Sequence, residues 1–440
     1  MPRRKKIEEP IEQVKKIKAP AMAKGMKDIL PSEQRYWKAV CDTFRGLAND
    51  FSFVMVDTPI FERSELYTHT LGRQHPLVKS DGIVFLDKSE KLTMRADYTP
   101  GLARSFVQHN LSNQTPPNKY WYSGKIFSQG KHFEGKNREM HQIGFEVYNA
   151  PSHAVDAELV FLACHGFENL GLKPQVRVNS VGCLSCRNEY LKALSLYIKS
   201  RRSAVCSDCR SHAAKDPYAF LACTNQKCQK QLEDAPQVVD YLCETCHDHL
   251  FKFLESLDDV KIDYVIDQKV IPEFAYYNST VYEIYSKSDD KDIPTMLMAT
   301  GGRQNYLAEM LSGPATPSAS IKFLVENVIN TIKESKIDLP KGFAPQVYLA
   351  QLSEQAKREA MRFVGELRAA DLRVVTNFSK DALRSQLEVA QKLGVKIILI
   401  IGQREVVDGT ILMRDVDSGI QEVVNIKKVV QEVKRKLALS

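Results

Sequence analysis

Lys119 to Phe127 (KYWYSGKIF) and Glu139 to Tyr148 (EMHQIGFEVY) are strand-like runs, rich in aromatic and β-branched residues. Around them the chain alternates between two periodicities. Gln34 to Asp50 carries apolar residues at helical spacing, namely Tyr36, Val40, Phe44 and Leu47. Short strand-like runs follow at Phe51 to Val56, Gly82 to Leu86 and Lys91 to Met94, and a helical pattern covers Ala154 to Leu170. Several consecutive strands followed by a helix predict an α+β fold, an antiparallel sheet with helices on one side. Sheet-like segments resume at Lys261 to Ile266 and Ser279 to Tyr285. Gly301-Gly302 then reads as a turn and Ile321 to Ser335 as a helix.

Residues 340–345 contain Pro, Lys and Gly and read as a linker. Beyond them strand and helix alternate. Gln346 to Ala350, Leu372 to Thr376 and Val395 to Ile401 are strands, separated by helices at Ser353 to Ala370 and Ser379 to Leu393. That βαβαβ order predicts a C-terminal α/β domain with a parallel sheet. The expected division is a basic tail at 1–24, a core at 25–182 and 251–339, a Cys-rich insertion at 183–250 and the α/β domain at 340–440. For 440 residues this agrees with a prior of roughly two to four domains.

Hydrophobic residues make up 43% and charged residues 26%, which supports a packed core and argues against global disorder. No apolar run approaches the ~18 residues of a membrane span. Residues 1–20 are basic and lack an apolar stretch, so they do not read as a secretory signal. The expectation is a cytoplasmic chain without a membrane partner. A net charge of +7 permits an anionic partner without requiring one.

Eight of the ten cysteines lie between Cys183 and Cys246. Cys183/Cys186, Cys206/Cys209 and Cys243/Cys246 are CxxC pairs, and Cys223/Cys228 is a looser one. Paired spacing in a chain without an export signal points to structural zinc, in one site or two. The alternative is a set of reduced buried thiols. Cys183, Cys186, Cys206 and Cys209 are expected to form the first site, with His247 and His249 as adjacent alternative ligands. Cys41 and Cys164 fall in helical apolar patterns and are expected in the core.

Several collinear motifs resemble those of histidyl-tRNA synthetase, a class II aminoacyl-tRNA synthetase. Gly25 to Pro31 resembles its GxxDxLP segment, and Thr58-Pro59-Ile60-Phe61-Glu62 its first class II motif. Arg95 to Thr99 stands where the family has RPExT, and His141 to Glu146 resembles FHQxxxE. Tyr276-Tyr277 with Thr280 to Glu283 resembles YYxxTVFE, and Gly301-Gly302-Arg303 resembles GGR. Towards the C-terminus, Gln386 to Ala390, Ile401 to Glu405 and Arg414-Asp415 look like the family's anticodon-binding domain. The resemblance implies a class II core, tRNA as partner, and a homodimer with Pro59 near its interface. It also implies a histidine pocket made of Asp97, Thr99, Gln142, Glu146, Tyr276 and Tyr277.

The resemblance breaks where ATP would bind. Bringing a carboxylate onto an α-phosphate requires fixed cations, and the family uses arginines. Here Ser128, Pro272 and Asn327 stand in the three arginine positions. Losing one such donor typically costs about 2.7–4 kcal/mol of transition-state stabilisation. Arg138 and Arg303 are the remaining nucleotide-binding candidates, and Lys125, Lys131, Lys136 and Arg104 are further cations that could compensate. Three readings stay open. One is a family member that binds histidine, tRNA or both but has lost ligation. Another is an active histidine–tRNA ligase using ATP and Mg. The third is a regulatory subunit of ATP phosphoribosyltransferase, which resembles the same core but lacks an anticodon-binding domain.

Overall fold

Asn118–Phe127 and Glu139–Tyr148 pair antiparallel in continuous register, from Asn118 opposite Tyr148 to Phe127 opposite Glu139. The structure is a computed structural model describing residues 20–115, 118–129, 137–271, 274–287, 294–340, 344–379 and 382–438. The expected residues 1–19 of the tail, Gly130, Lys131, Lys136 and Pro272 lie outside the described residues. The chain divides into two compact units between Leu339 and Pro340.

In the first unit the two strands belong to an eight-stranded sheet. Its order is Val54–Met55, Asn118–Phe127, Glu139–Tyr148, Ser318–Leu324, Leu297–Arg303, Asn278–Ser286, Pro174–Ser180 and Tyr264–Ile266. The two edge pairings are parallel and the inner ones antiparallel. One face carries the main core. Helix Gln34–Asp50 sets Val40, Phe44 and Leu47 against Phe145 and Phe323, with Leu159, Ala163 and Phe167 of helix Ala154–Asn169 beside them. On the other face helix Tyr98–Gln108 lays Tyr98 and Phe106 on Tyr122 and Tyr148, in stacked pairs with centroids 4.2 and 4.4 Å apart. Such aromatic pairs stabilise by more than the area they bury. A three-stranded sheet of Phe61–Arg63, Glu90–Met94 and Val84–Asp87 completes the unit.

The Cys-rich stretch lies in the connection between strands Pro174–Ser180 and Tyr264–Ile266. It is helical, with a small core of its own around Tyr190, Leu194, Ile198, Phe220 and Leu232. In the second unit Val374–Thr376, Val347–Gln351 and Ile397–Ile401 form the expected parallel sheet. Thr410–Asp415 and Gln421–Asn425 extend it with antiparallel strands.

Three expectations are corrected. Helices cover both faces of the large sheet, not one, because Tyr122 and Tyr148 give its second face an apolar surface for helix Tyr98–Gln108. Residues 321–324 are strand, and the helix begins only at Val325. Ser318 to Phe323 are all buried, and a central strand buried on both faces gives no alternating signal by which to separate it from a helix. Gly301-Gly302 is not a turn but lies inside strand Leu297–Arg303. Glycine is needed there because a Cβ on residue 301 would sit 2.3 Å from the Ser320 carbonyl oxygen and 2.4 Å from the Tyr282 ring. A neighbouring strand cannot retreat as a side chain can. Gly301→Ala is therefore expected to destabilise the first unit by about 3 kcal/mol, read as a lower urea midpoint. An unchanged midpoint would show that the strands can separate there.

Candidate functional site

The antiparallel register places the site. Gln142 pairs with Leu324, Gly144 with Lys322 and Glu146 with Ser320. Alternate residues share a face, so Gln142, Gly144, Glu146, Ser320 and Lys322 all point away from the main core. Asp97 caps helix Tyr98–Gln108 above this floor, its side chain accepting the Thr99 N–H at 2.8 Å. Gln142 donates to Asp97 Oδ2 at 2.9 Å and accepts the Tyr98 N–H at 3.2 Å. Glu146 accepts from Thr99 Oγ1 at 2.6 Å, Tyr148 OH at 2.7 Å and Gln304 Nε2 at 3.1 Å.

Tyr276 and Tyr277 close the side, their ring centroids 4.8 Å apart. They are held from the insertion. Arg187, on helix Leu184–Ser200, donates to the Ala275 carbonyl at 3.1 Å and to the Tyr277 carbonyl. All six expected histidine-pocket residues are thus brought together, and all are buried.

A seventh residue stands among them that the sequence reading missed. Lys322 is 1% exposed, and its Nζ lies 2.7 Å from Asp97 Oδ2 and 3.1 Å from the Tyr276 hydroxyl. Burial pushes the Asp97 carboxyl upward. The Lys322 charge and the hydrogen bonds from Lys322, Gln142 and Thr99 outweigh it and hold the group below its ordinary value. Burial dominates at Glu146, whose carboxyl is pushed up to about 6.

The positions expected to face ATP are built into the structure differently. Ser128 is 1% exposed and donates through Oγ to the carbonyls of Asp81 at 3.0 Å and Gln129 at 3.1 Å. Asn327 donates to the Leu297 carbonyl at 2.9 Å and so ties its helix to a strand. Its neighbour Glu326 accepts the His141 backbone N–H at 3.0 Å. Arg303 pairs in register with Ala319, on the core face opposite Lys322. There its guanidinium reaches Asp156 at 2.8 Å and the Ala150 carbonyl at 2.8 Å, fully buried. Lys125 is paired with Glu139 at 2.7 Å and Arg104 with Glu62 at 2.5 Å, while Arg138 is exposed.

The cysteines form two clusters, Cys183/Cys186/Cys243/Cys246 and Cys206/Cys209/Cys223/Cys228. The expected first site is therefore re-paired. Cys186 sits in the first turn of helix Leu184–Ser200, 17 residues and roughly 25 Å long, and the rest of that helix separates it from Cys206 and keeps the two sequence-adjacent pairs apart. Cys183, Cys206 and Cys243 each occupy the N-cap position of a helix. Backbone N–H groups of Cys186 and Cys209 lower the Cys183 and Cys206 thiols to about 7, the direction a metal ligand needs, while burial pushes the Cys186, Cys209, Cys228 and Cys246 thiols up, so a bound cation would have to draw off those protons. The sulfurs of each cluster lie within 4.8 Å of one another. Four thiolates at ~2.3 Å from zinc would be about 3.8 Å apart, so the donor sets fit. His249 is directed instead towards Asp156, 3.5 Å away.

Comparison with known proteins agrees with this geometry. The model of the histidyl-tRNA synthetase family matches residues 25–321. The chain belongs to the histidyl-tRNA synthetase family. An anticodon-binding-domain model matches residues 346–436 of this family member. The histidine–tRNA ligase of Thermodesulfovibrio yellowstonii is 30% identical over 423 residues, covering 94% of this chain and 98% of its own. The crystal structure of apo S. aureus histidyl-tRNA synthetase is similar at a TM-score of 0.77 and 26% identity, covering 95% of this chain and all of that one. A Bacillus halodurans protein described as an ATP phosphoribosyltransferase regulatory subunit/histidyl-tRNA synthetase shares the fold at a TM-score of 0.62 and 16% identity, covering 90% of this chain and 99% of its own.

Glu146 binds its proton more tightly in the folded chain than its ordinary value of 4.5 allows. The stability this provides is complete below that value and is lost as pH rises through about 6. Between those limits the wild type is expected to lose about 2 kcal/mol relative to Glu146→Gln, measured by urea denaturation at stepped pH. Parallel pH profiles for the two proteins would contradict the assignment.

Proposed function

We propose that this chain is a tRNA-binding member of its family that has lost histidine ligation. The observation that carries the proposal is the treatment of positive charge around the expected ATP site. Ser128 and Asn327 are buried and hydrogen-bonded into the fold at two of the three arginine positions. Pro272 fills the third in sequence. Of the cations that could compensate, Lys125, Arg104 and Arg303 are engaged by carboxylates. A lysine is also a poor substitute where bidentate recognition of phosphate is needed.

tRNA binding is supported by the match at residues 346–436. That match also argues against a regulatory subunit without such a domain. Arg384 and Arg404, next to and within the resembling segments, are 94% and 87% exposed, and their pairs with Glu388 and Asp408 are solvent-facing and weak enough to give way to phosphates of a single-stranded loop. We place the chain in the cytoplasm as a homodimer. Among the described residues no helix is long and apolar enough to cross a membrane. Val54, Met55, Ile60, Phe61, Val84 and Leu86, flanking Pro59 in sequence or on the small sheet, are exposed apolar groups suited to a second copy.

Each cysteine cluster would hold one structural zinc. The first would fasten the start of the helix that carries Arg187 to the start of helix Glu244–Asp259. Zinc there would stabilise the insertion, with no part in a reaction.

Histidine-dependent ATP–pyrophosphate exchange is expected at least about a thousandfold below that of a ligase. tRNA is expected to be retained on a filter at low salt and released as salt rises. Exchange at a ligase's rate, or no retention at low salt, would overturn the proposal. Protein prepared without chelator is expected to carry about two zinc ions per chain by elemental analysis, and chelation should lower its thermal midpoint. Clearly substoichiometric metal would count against both sites.

A further inference from the structure

Lys322 is a buried cation inside a receptor for cations. Its Nζ meets the Asp97 carboxylate at 2.7 Å and the Tyr276 hydroxyl at 3.1 Å. It also lies 4.5, 5.5 and 5.7 Å from the ring centroids of Phe274, Tyr277 and Tyr276. One carboxylate and three aromatic rings is the arrangement that binds organic ammonium groups. The strand register sets the face: Lys322 stands directly opposite Gly144, between Gln142 and Glu146, on the face that holds the pocket.

The polar groups around it are occupied as well. The two Asp97 oxygens accept from Thr99, Gln142 and Lys322, and Glu146 accepts from Thr99, Tyr148 and Gln304. We infer that Lys322 is the built-in occupant of this pocket, a tethered ammonium that stands where an amino acid's cationic group would bind and closes the site to free histidine. The inference rests on the pocket alone and is independent of the missing ATP-site arginines. It turns a site that resembles a substrate pocket into a structural centre that closes over its own side chain.

The test removes the tether and returns the cation as a small molecule. Lys322→Ala deletes the atoms from Cγ to Nζ, which n-propylammonium reproduces. The variant is expected to melt about 5 °C or more below wild type, because Asp97 is left buried without its partner. n-Propylammonium should restore the midpoint saturably, with a roughly millimolar Kd or tighter, while uncharged 1-propanol should not. Calorimetric titration of wild type with histidine at millimolar concentration should give no stoichiometric heat. Should Lys322→Ala fail to fold, Lys322→Met keeps the stem and removes only the charge. Adding Asp97→Asn to it should recover part of the lost midpoint. Stoichiometric histidine binding by wild type, no preference for the ammonium over the alcohol in Lys322→Ala, or no recovery by Asp97→Asn in Lys322→Met would each overturn the inference.

Discussion

The Lys322–Asp97 ion pair has side chains 1% and 4% exposed and a charge separation of 2.7 Å. At an effective dielectric near 20, such a separation is worth about 6 kcal/mol. Desolvating each ion costs several kcal/mol, so Coulomb attraction alone barely balances the burial. The balance shifts because the remaining valences are filled. Gln142 and the Thr99 N–H complete the carboxylate, while Tyr276 and three aromatic faces complete the ammonium. Four separate parts of the chain therefore converge on one pair of charges. These are the N-terminus of a helix, two neighbouring strands and the tyrosine segment held by Arg187. Removing the Lys322 charge would leave the Asp97 carboxylate buried without its counter-ion.

A second buried charge centre lies on the opposite face of the same sheet. There Arg303, Asp156 and Thr280 join two strands to helix Ala154–Asn169. Burial raises the Asp156 carboxyl, and the Arg303 charge together with the hydrogen bonds from His249 and Thr280 outweighs it. The two centres use internally the kinds of groups with which a synthetase would grip its substrates. A cation that holds the fold together is not available to an ATP phosphate. The same sheet can therefore keep the family's shape while its interior chemistry serves cohesion.

Much of this was legible in the sequence, and the parts that were not have identifiable causes. The strands Asn118–Phe127 and Glu139–Tyr148 followed from their runs of aromatic and β-branched residues, and the C-terminal βαβαβ order from strands that alternate with helices of clear apolar spacing. The six pocket residues were legible through the family resemblance, as motifs in the right order. Lys322 was not, because the run from Ser318 to Leu324 is buried on both faces and merges with the helix that follows. Read as helix, it offered no way to see that residue 322 shares a face with Gln142 and Glu146. The available signal was a single lysine in an otherwise uncharged buried run. The cysteine pairing failed for a different reason. Proximity in sequence favoured joining adjacent pairs, but most of a 17-residue helix runs between them, and the pair that meets Cys183 and Cys186 is Cys243 and Cys246.

The most direct measurement is a crystal structure of the wild-type protein grown with saturating histidine and ATP. The account predicts Lys322 Nζ on Asp97, the tyrosine cage closed around it, and no amino acid between them. Histidine seated on Asp97 and Glu146, with the Lys322 side chain displaced from the cage, would contradict it.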